Sequence, residues 1–425
     1  MRVLSLFDGM ACGMLAMKSA GMNVDRYVAF EIDKYATQTS SHNFPMIEHR
    51  GDVFQADFTE FCGFDFLVGG SPCTYWSIAQ KNNRETVASG MGWELFSQYV
   101  RALHEAKPMW FIYENNKSMS KAIRESITST FGFEPICINS SLVSAQNRQR
   151  LYWVGKRNPD GTYSRVKVDQ PEDRGLILRD VLDGMTDREK ARRVLSSTGR
   201  TTTREFYQKN QGTMALEPIR IPEYGIVDKA RPLGANYSNN CGGFEHRMFS
   251  NNRNKQQVDM VAAPVRIGLY PNNDGVAEDH QQNRVYSIDG KSINLCGNGG
   301  GMGAKTGLYA IPVEFDDGIP VKAVSCADGK TYTVYQVKDG QITIKGKQYP
   351  IKLADGYYII RKLTVSECKR LQTVPEWYEF PVSDTQAYKM LGNGWTVEVI
   401  AHLIKATQAD ELEEEQLDLF RMAVM

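Results

Sequence analysis

Cys73 is the residue of this chain best placed for nucleophilic chemistry: in FDFLVGGSPCTYWS it follows Gly69-Gly70 and Pro72 at the end of an apolar run. An open α/β sheet binds its ligands at the carboxyl ends of its strands, which is where this spacing puts the thiol. Glu114 closes a second apolar run, FIYENN, and a carboxyl at that edge can protonate or bind a base ring. Arg148 and Arg150, in SAQNRQRLYW, are two residues apart and so project from one face of an extended segment. Their guanidinium groups can clamp phosphate or donate to a carbonyl oxygen. A structural ion pair between Glu114 and one of these arginines is the alternative.

A second set of residues suits a nucleoside. VLSLFDGMACGMLAMKSAG places Gly9 and Gly13 between a strand and a helix, where backbone approaches a ligand and helix amides lack partners. Glu31 follows Gly9 by 22 residues, at the end of the next apolar run, where a carboxylate can accept from both ribose hydroxyls. Asp52, in Gly51-Asp52-Val53, can accept from an adenine amino group in the same crevice. The GxGxxG spacing that cradles a pyrophosphate is missing, so S-adenosylmethionine fits better than a dinucleotide.

Positioning these groups requires alternating elements. Strands are predicted at 3–7, 27–30, 64–68, 110–113, 136–139 and 151–154, with helices at 13–20, 34–43, 93–105 and 117–130. This alternation predicts a doubly wound, Rossmann-like α/β sheet over residues 1–156. After a linker at 157–179, the Gly- and Asn-rich stretch 180–355 reads as a second, smaller, loop-rich domain containing β-strands. Turn pairs near 328, 339 and 355 predict hairpins within it. Helical periodicity resumes at 364–371 and 396–408, so residues 356–425 return to the first domain and end in an acidic tail.

Composition narrows the function classes. Lys+Arg and Asp+Glu are both 50, so no global field draws the molecule to a polyanion, yet residues 186–270 carry 14 basic against 8 acidic side chains. No apolar run reaches the ~18 residues that span a bilayer, and the start has no signal-peptide pattern, so the expected location is the cytoplasm. Eight scattered cysteines without a CxxC pair predict neither a structural metal site nor a disulfide framework.

Taken in order, these motifs resemble the DNA (cytosine-5) methyltransferases. FDGMACG is similar to that family's cofactor loop, FEID to its ribose-binding strand end, GDV to its adenine contact, GGSPC to its nucleophile loop, ENN to its glutamate strand and QNRQR to its QxRxR segment. LTVSECKRLQTVP and AYKMLGNGWTVEVIAHL resemble its two C-terminal motifs, so the likeness covers about 1–156 and 361–408. Two departures stand out: ENN replaces the usual ENV, and PCT replaces PCQ.

The resemblance implies a cytosine-5 methyltransferase that uses S-adenosylmethionine, acts on double-stranded DNA and works as a monomer without metal. Cys73 would attack carbon 6 of cytosine, Glu114 would meet ring nitrogen 3 and Arg150 the carbonyl oxygen, while Arg148 would hold phosphate or Glu114. Phe7, Asp8, Gly9, Glu31, Ile32, Asp52, Pro72, Leu95 and Asn393 would hold the cofactor. Gln146 and the glycine loop Gly299, Gly300 and Gly301 with Lys305 would contact DNA. The same chemistry on tRNA, or a DNA-binding homologue without turnover, are the rival readings. An amino-methylating enzyme would carry a [DN]PP[YF] loop where this chain has SPC.

Overall fold

The computed structural model describes the chain except for residues 78–83, 184–262, 298–302, 304, 316–319, 321, 327–328 and 425. Its first layer is a sheet with the order β3-β2-β1-β4-β5-β7-β6. The strands are β1 (Arg2–Leu6), β2 (Arg26–Phe30), β3 (Glu48–His49), β4 (Phe66–Gly69), β5 (Trp110–Asn116), β6 (Ile136–Asn139) and β7 (Gln149–Arg157). All neighbours run parallel except β7, which is antiparallel to both β5 and β6. The central strands are largely apolar because both faces are covered. Val3, Ala29, Val68 and Ile112 enter one core, while Leu4, Val28, Leu67 and Phe111 enter the other.

Helices α1 (Cys12–Ser19), α2 (Lys34–Asn43), α3 (Met91–Ala106) and α4 (Lys121–Phe131) follow the strands as the doubly wound pattern requires. The α4 start falls four residues later than expected, because Ser120 caps the helix by accepting from Ile123 N at 3.2 Å. The stretch expected to be a linker is structured: Gly161, at φ 88°, closes a turn that lets β8 (Tyr163–Arg165) pair with β7. Val166, Leu178, Val181 and Leu182 then pack into the first core.

The second layer is a sheet in the order β15-β14-β13-β16-β11-β10-β9, with β12 (Ala323–Ser325) beside β13. Its strands are β9 (Arg266–Leu269), β10 (Arg284–Ser287), β11 (Leu308–Val313), β13 (Thr331–Lys338), β14 (Gln341–Ile344), β15 (Lys347–Pro350) and β16 (Gly356–Arg361). Its two ends meet through the Gly268–Ile351 bridge and a Lys352 N to Ile267 O bond of 2.7 Å, so the sheet curls around its own core. β16 lies between β13 and β11, so this layer extends past the boundary expected at 355. Two hairpins use left-handed pairs, Asp339-Gly340 and Lys345-Gly346.

The chain re-enters the first layer through α5 (Val365–Leu371), α6 (Asp384–Asn393) and α7 (Val397–Val424). At this crossing Glu367 is fully buried and accepts from both Arg361 guanidinium ends, at 2.8 and 2.7 Å. It also accepts from the amides of Thr364 and Asp183, at 2.7 and 3.0 Å. Asp183 in turn accepts from the Thr364 hydroxyl at 2.6 Å and from Arg370 at 2.8 Å. The outgoing and returning chain are thereby clasped at one point.

Candidate active site

Strand order reverses between β1 and β4, so the loops that follow them diverge and open a crevice at the carboxyl edge. On one side lie the loops after β1, β2 and β3, held in step by Asp8 N to Phe30 O at 3.2 Å and Arg50 N to Ala29 O at 2.9 Å. Phe7, Gly9 and Ala11 all have positive φ, near 60°, a strained turn that brings backbone close to the crevice. The Glu31 carboxylate accepts from Gly9 N, Ile32 N and Asp33 N, each at 2.8 Å. Asp52 caps the turn after β3 through Phe54 N at 3.0 Å.

Asp8 is buried, and its Oδ1 accepts from the Ser5 and Tyr27 hydroxyls at 2.6 and 2.7 Å. Its Oδ2 has no partner among the described residues. Burial, partly offset by the two hydroxyl bonds, pushes the Asp8 carboxyl up to about 6.

These residues fit S-adenosylmethionine. Glu31 offers an anchored carboxylate for a ribose, the Asp8 Oδ2 is a buried acceptor open to a donor, and Ile32 is 78% exposed, an uncovered apolar face for a ring. Phe7 and Leu95 both pack against the core that contains Val53, Phe30 and Phe96. Asn393 is exposed at the end of α6, where the second layer passes so closely that a Cβ at Gly297 would collide with its Oδ1.

On the other side of the crevice, Pro72 is exposed and Cys73 half-buried at the head of a single 3-10 turn. The Cys73 carbonyl accepts from Trp76 N and Ser77 N at 3.1 and 2.9 Å and from the Asn116 side chain at 3.5 Å. Asn115 donates to Ser71 O at 3.1 Å, and the Ser71 hydroxyl bonds to Tyr113 at 2.7 Å. Both asparagines of ENN therefore tie β5 to the nucleophile loop, a role that apolar valine could not fill at position 116. By contrast, Cys12 and Cys368 are buried; burial pushes the Cys12 thiol up to about 12 and that of Cys368 well above its usual range, which disfavours either as a thiolate.

Glu114 is almost buried on β5, with Gly70 against it: a Cβ there would meet its carbonyl oxygen at 2.7 Å and its Oε2 at 2.9 Å. Arg150 Nε lies 3.0 Å from Glu114 Oε1. The two arginines face different partners. Arg148 is buried in a cage of carbonyls, donating to Leu295, Gly392 and Gly394 at 3.4, 3.1 and 2.8 Å, and to Asn294 Oδ1 at 2.8 Å. Burial, with Arg150 nearby, lowers the Arg148 guanidinium to about 10. Its bonds among the described residues go to these groups and not to Glu114, so it links the second layer to the α6–α7 connection.

The expected DNA contacts separate in the same way. Gln146 is fully buried, its side-chain amide has no partner among the described residues, and its backbone bridges to Ser292, so its side chain does not reach solvent here. Lys305 donates to Thr385 O at 3.4 Å, and Gly299, Gly300 and Gly301 lie outside the described residues, as does most of the basic stretch. Among the described residues, no group of three or more His, Cys, Asp or Glu side chains could hold a metal ion. No helix among them is long and apolar enough to cross a membrane. One residue at the pocket was not assigned from sequence: Trp395 donates from its indole to Glu114 Oε2 at 3.0 Å. Its signal was the lone tryptophan inside the last motif, LGNGWTVEV.

The chain is 25% identical over 365 residues to an orphan methyltransferase, M.Rho11sI, of Bacillus phage rho11s, covering 80% of this chain and 68% of that one. It is 23% identical over 414 residues to the type II methyltransferase M.HhaI of Haemophilus parahaemolyticus, covering 95% and 93%. The solved Entamoeba histolytica methyltransferase EhMeth shares the fold at 12% identity and a TM-score of 0.51, covering 96% and 98%. A family model described as C-5 cytosine-specific DNA methylase matches residues 1–409, and the chain belongs to that family.

Proposed function

We propose that the protein methylates carbon 5 of cytosine in double-stranded DNA, with Cys73 as a transient covalent nucleophile. The observation that carries this reading is the pairing, on adjacent strand ends, of a half-buried Cys73 with the Glu114–Arg150 couple. S-adenosylmethionine, held by Phe7, Asp8, Gly9, Glu31, Ile32, Asp52, Pro72, Leu95 and Asn393, supplies an electrophilic methyl group.

The Cys73 thiolate adds to carbon 6 of the base, and the ring electrons that move to carbon 5 make it nucleophilic. Glu114, in its protonated form, donates to ring nitrogen 3 and Arg150 donates to the carbonyl oxygen, which stabilises the negative charge that develops there. After methylation the carbon 5 proton leaves, the double bond re-forms and Cys73 departs as thiolate. Arg148 supports this pocket by fixing the segment that carries Asn393 and Trp395. A stacked base cannot reach Cys73, so it is flipped out at a cost of a few kcal/mol. The second layer grips the duplex, with Lys305, Gly299, Gly300 and Gly301 as its contacts; the Gln146 backbone ties that layer to the first.

The test uses duplex DNA synthesised with 5-fluorocytosine throughout, which cannot lose a proton from carbon 5 after methylation. The wild-type protein with S-adenosylmethionine should form an adduct stable to denaturation, and Cys73→Ser should form none. An adduct that persists in Cys73→Ser refutes the covalent role. Methyl incorporation into tRNA with none into duplex DNA refutes the substrate.

A further inference from the structure

The segment returning from the second layer brings a donor to Glu114 from 281 residues along the chain: Trp395 Nε1 lies 3.0 Å from Oε2. The other oxygen, Oε1, faces Arg150 Nε at 3.0 Å. Gly70 presses on the Oε2 side, so the carboxyl group is held from three directions. The indole is itself held in place. The neighbouring Gly394 carbonyl accepts from Arg148 at 2.8 Å and from Gln372 at 3.3 Å, and Thr396 donates to Gln372 Oε1 at 2.8 Å. A purely apolar side chain at 395 would fill the same space and leave Oε2 without this donor.

We infer that Trp395 is a positioning residue for Glu114. It anchors Oε2, so that Oε1, the oxygen shared with Arg150, is the one turned toward ring nitrogen 3 of the base. An incoming base then displaces the Arg150 side of the pair, which frees that guanidinium for the carbonyl oxygen. This inference rests on the proposed role of Glu114, and it couples the order of the α6–α7 connection to the orientation of the carboxyl group.

Trp395→Phe keeps the ring bulk and removes the donor. Hydrogen bonds to charged groups are worth enough that kcat for DNA methylation should fall about 10- to 100-fold. KM for DNA and for S-adenosylmethionine should change less than about threefold. In a Glu114→Ala background the Phe substitution should cost nothing further. An equal loss in both backgrounds, or a rise in the cofactor KM with kcat unchanged, overturns the inference.

A measurement without substrate separates this contact from the proposed reaction. The chain has six tryptophans, so the indole signal lost from the nitrogen–proton spectrum of Trp395→Phe identifies Trp395. Glu114→Gln should shift that signal and speed its exchange with solvent. A signal indifferent to Glu114→Gln overturns the positioning role even in an active enzyme. A responsive signal in a protein that methylates no DNA upholds the contact and overturns the proposed substrate instead.

Discussion

Gly70→Ala is the smallest change that tests whether the nucleophile loop and the glutamate strand are held in register. The new Cβ would stand 2.7 Å from the Glu114 carbonyl oxygen, where ordinary contact begins at 3.4 Å. Something must therefore move by about 0.7 Å. The carbonyl belongs to β5, which is bonded on both sides by β4 and β7, so the loop that carries Cys73 gives way. A misplacement of about 1 Å costs on the order of 100-fold in rate, which puts the expected loss at about 10- to 100-fold. The assay is single-turnover methyl transfer at saturating cofactor, beside calorimetric cofactor affinity. Affinity should fall much less than the rate, because Asp8 and Glu31 lie across the strand-order reversal from Gly70 and Pro72 alone among the proposed cofactor residues sits on the displaced loop. A variant whose rate matches the wild type within about twofold would refute the argument that these loops are mutually fixed.

Two further expectations concern buried charge. The Asp8 carboxyl is raised to about 6 from 3.8, so the folded state binds its proton more tightly than the unfolded chain does. The resulting stability is complete below pH about 4 and lost as pH rises through about 6, a change of about 3 kcal/mol. The unfolding temperature of the wild type should therefore fall relative to Asp8→Asn over that interval; parallel curves would contradict the shift. Glu367→Ala leaves Arg361 buried without its partner and should destabilise by about 3–5 kcal/mol in chemical denaturation, partly recovered when Arg361→Met is added.

The first layer was legible because both-face burial writes itself as apolar runs, such as FLVG and the WFIY that opens β5. Short edge strands carry no such run: β3 has two residues and β8 three, and pairing with a neighbour rather than composition makes them strands. The second layer was readable as strands and turns, but its pairing was not, since β16 crosses back between β13 and β11 from far along the chain. At the site, Cys73, Glu114 and Arg150 could be placed from strand ends alone. The division of labour between the arginines could not, because their spacing fixes only which face they share. What separates them is the carbonyl cage around Arg148, supplied by residues 146 or more positions away. Trp395 was hidden for the same reason: only the folded chain shows that an indole in the last motif meets a carboxylate on β5.

The clasp around Glu367 has a consequence for how this protein can change. Because the insertion leaves and rejoins the scaffold at almost the same place, its length can change away from the Arg148, Gln146 and Asn393 contacts with little effect on the first sheet. Lengthening it costs only the slow logarithmic loss of loop closure, with the ends already pinned. On the function proposed above, the second layer can thus be exchanged like a cassette, and new sequence preferences can arise without re-solving the problem of moving a methyl group.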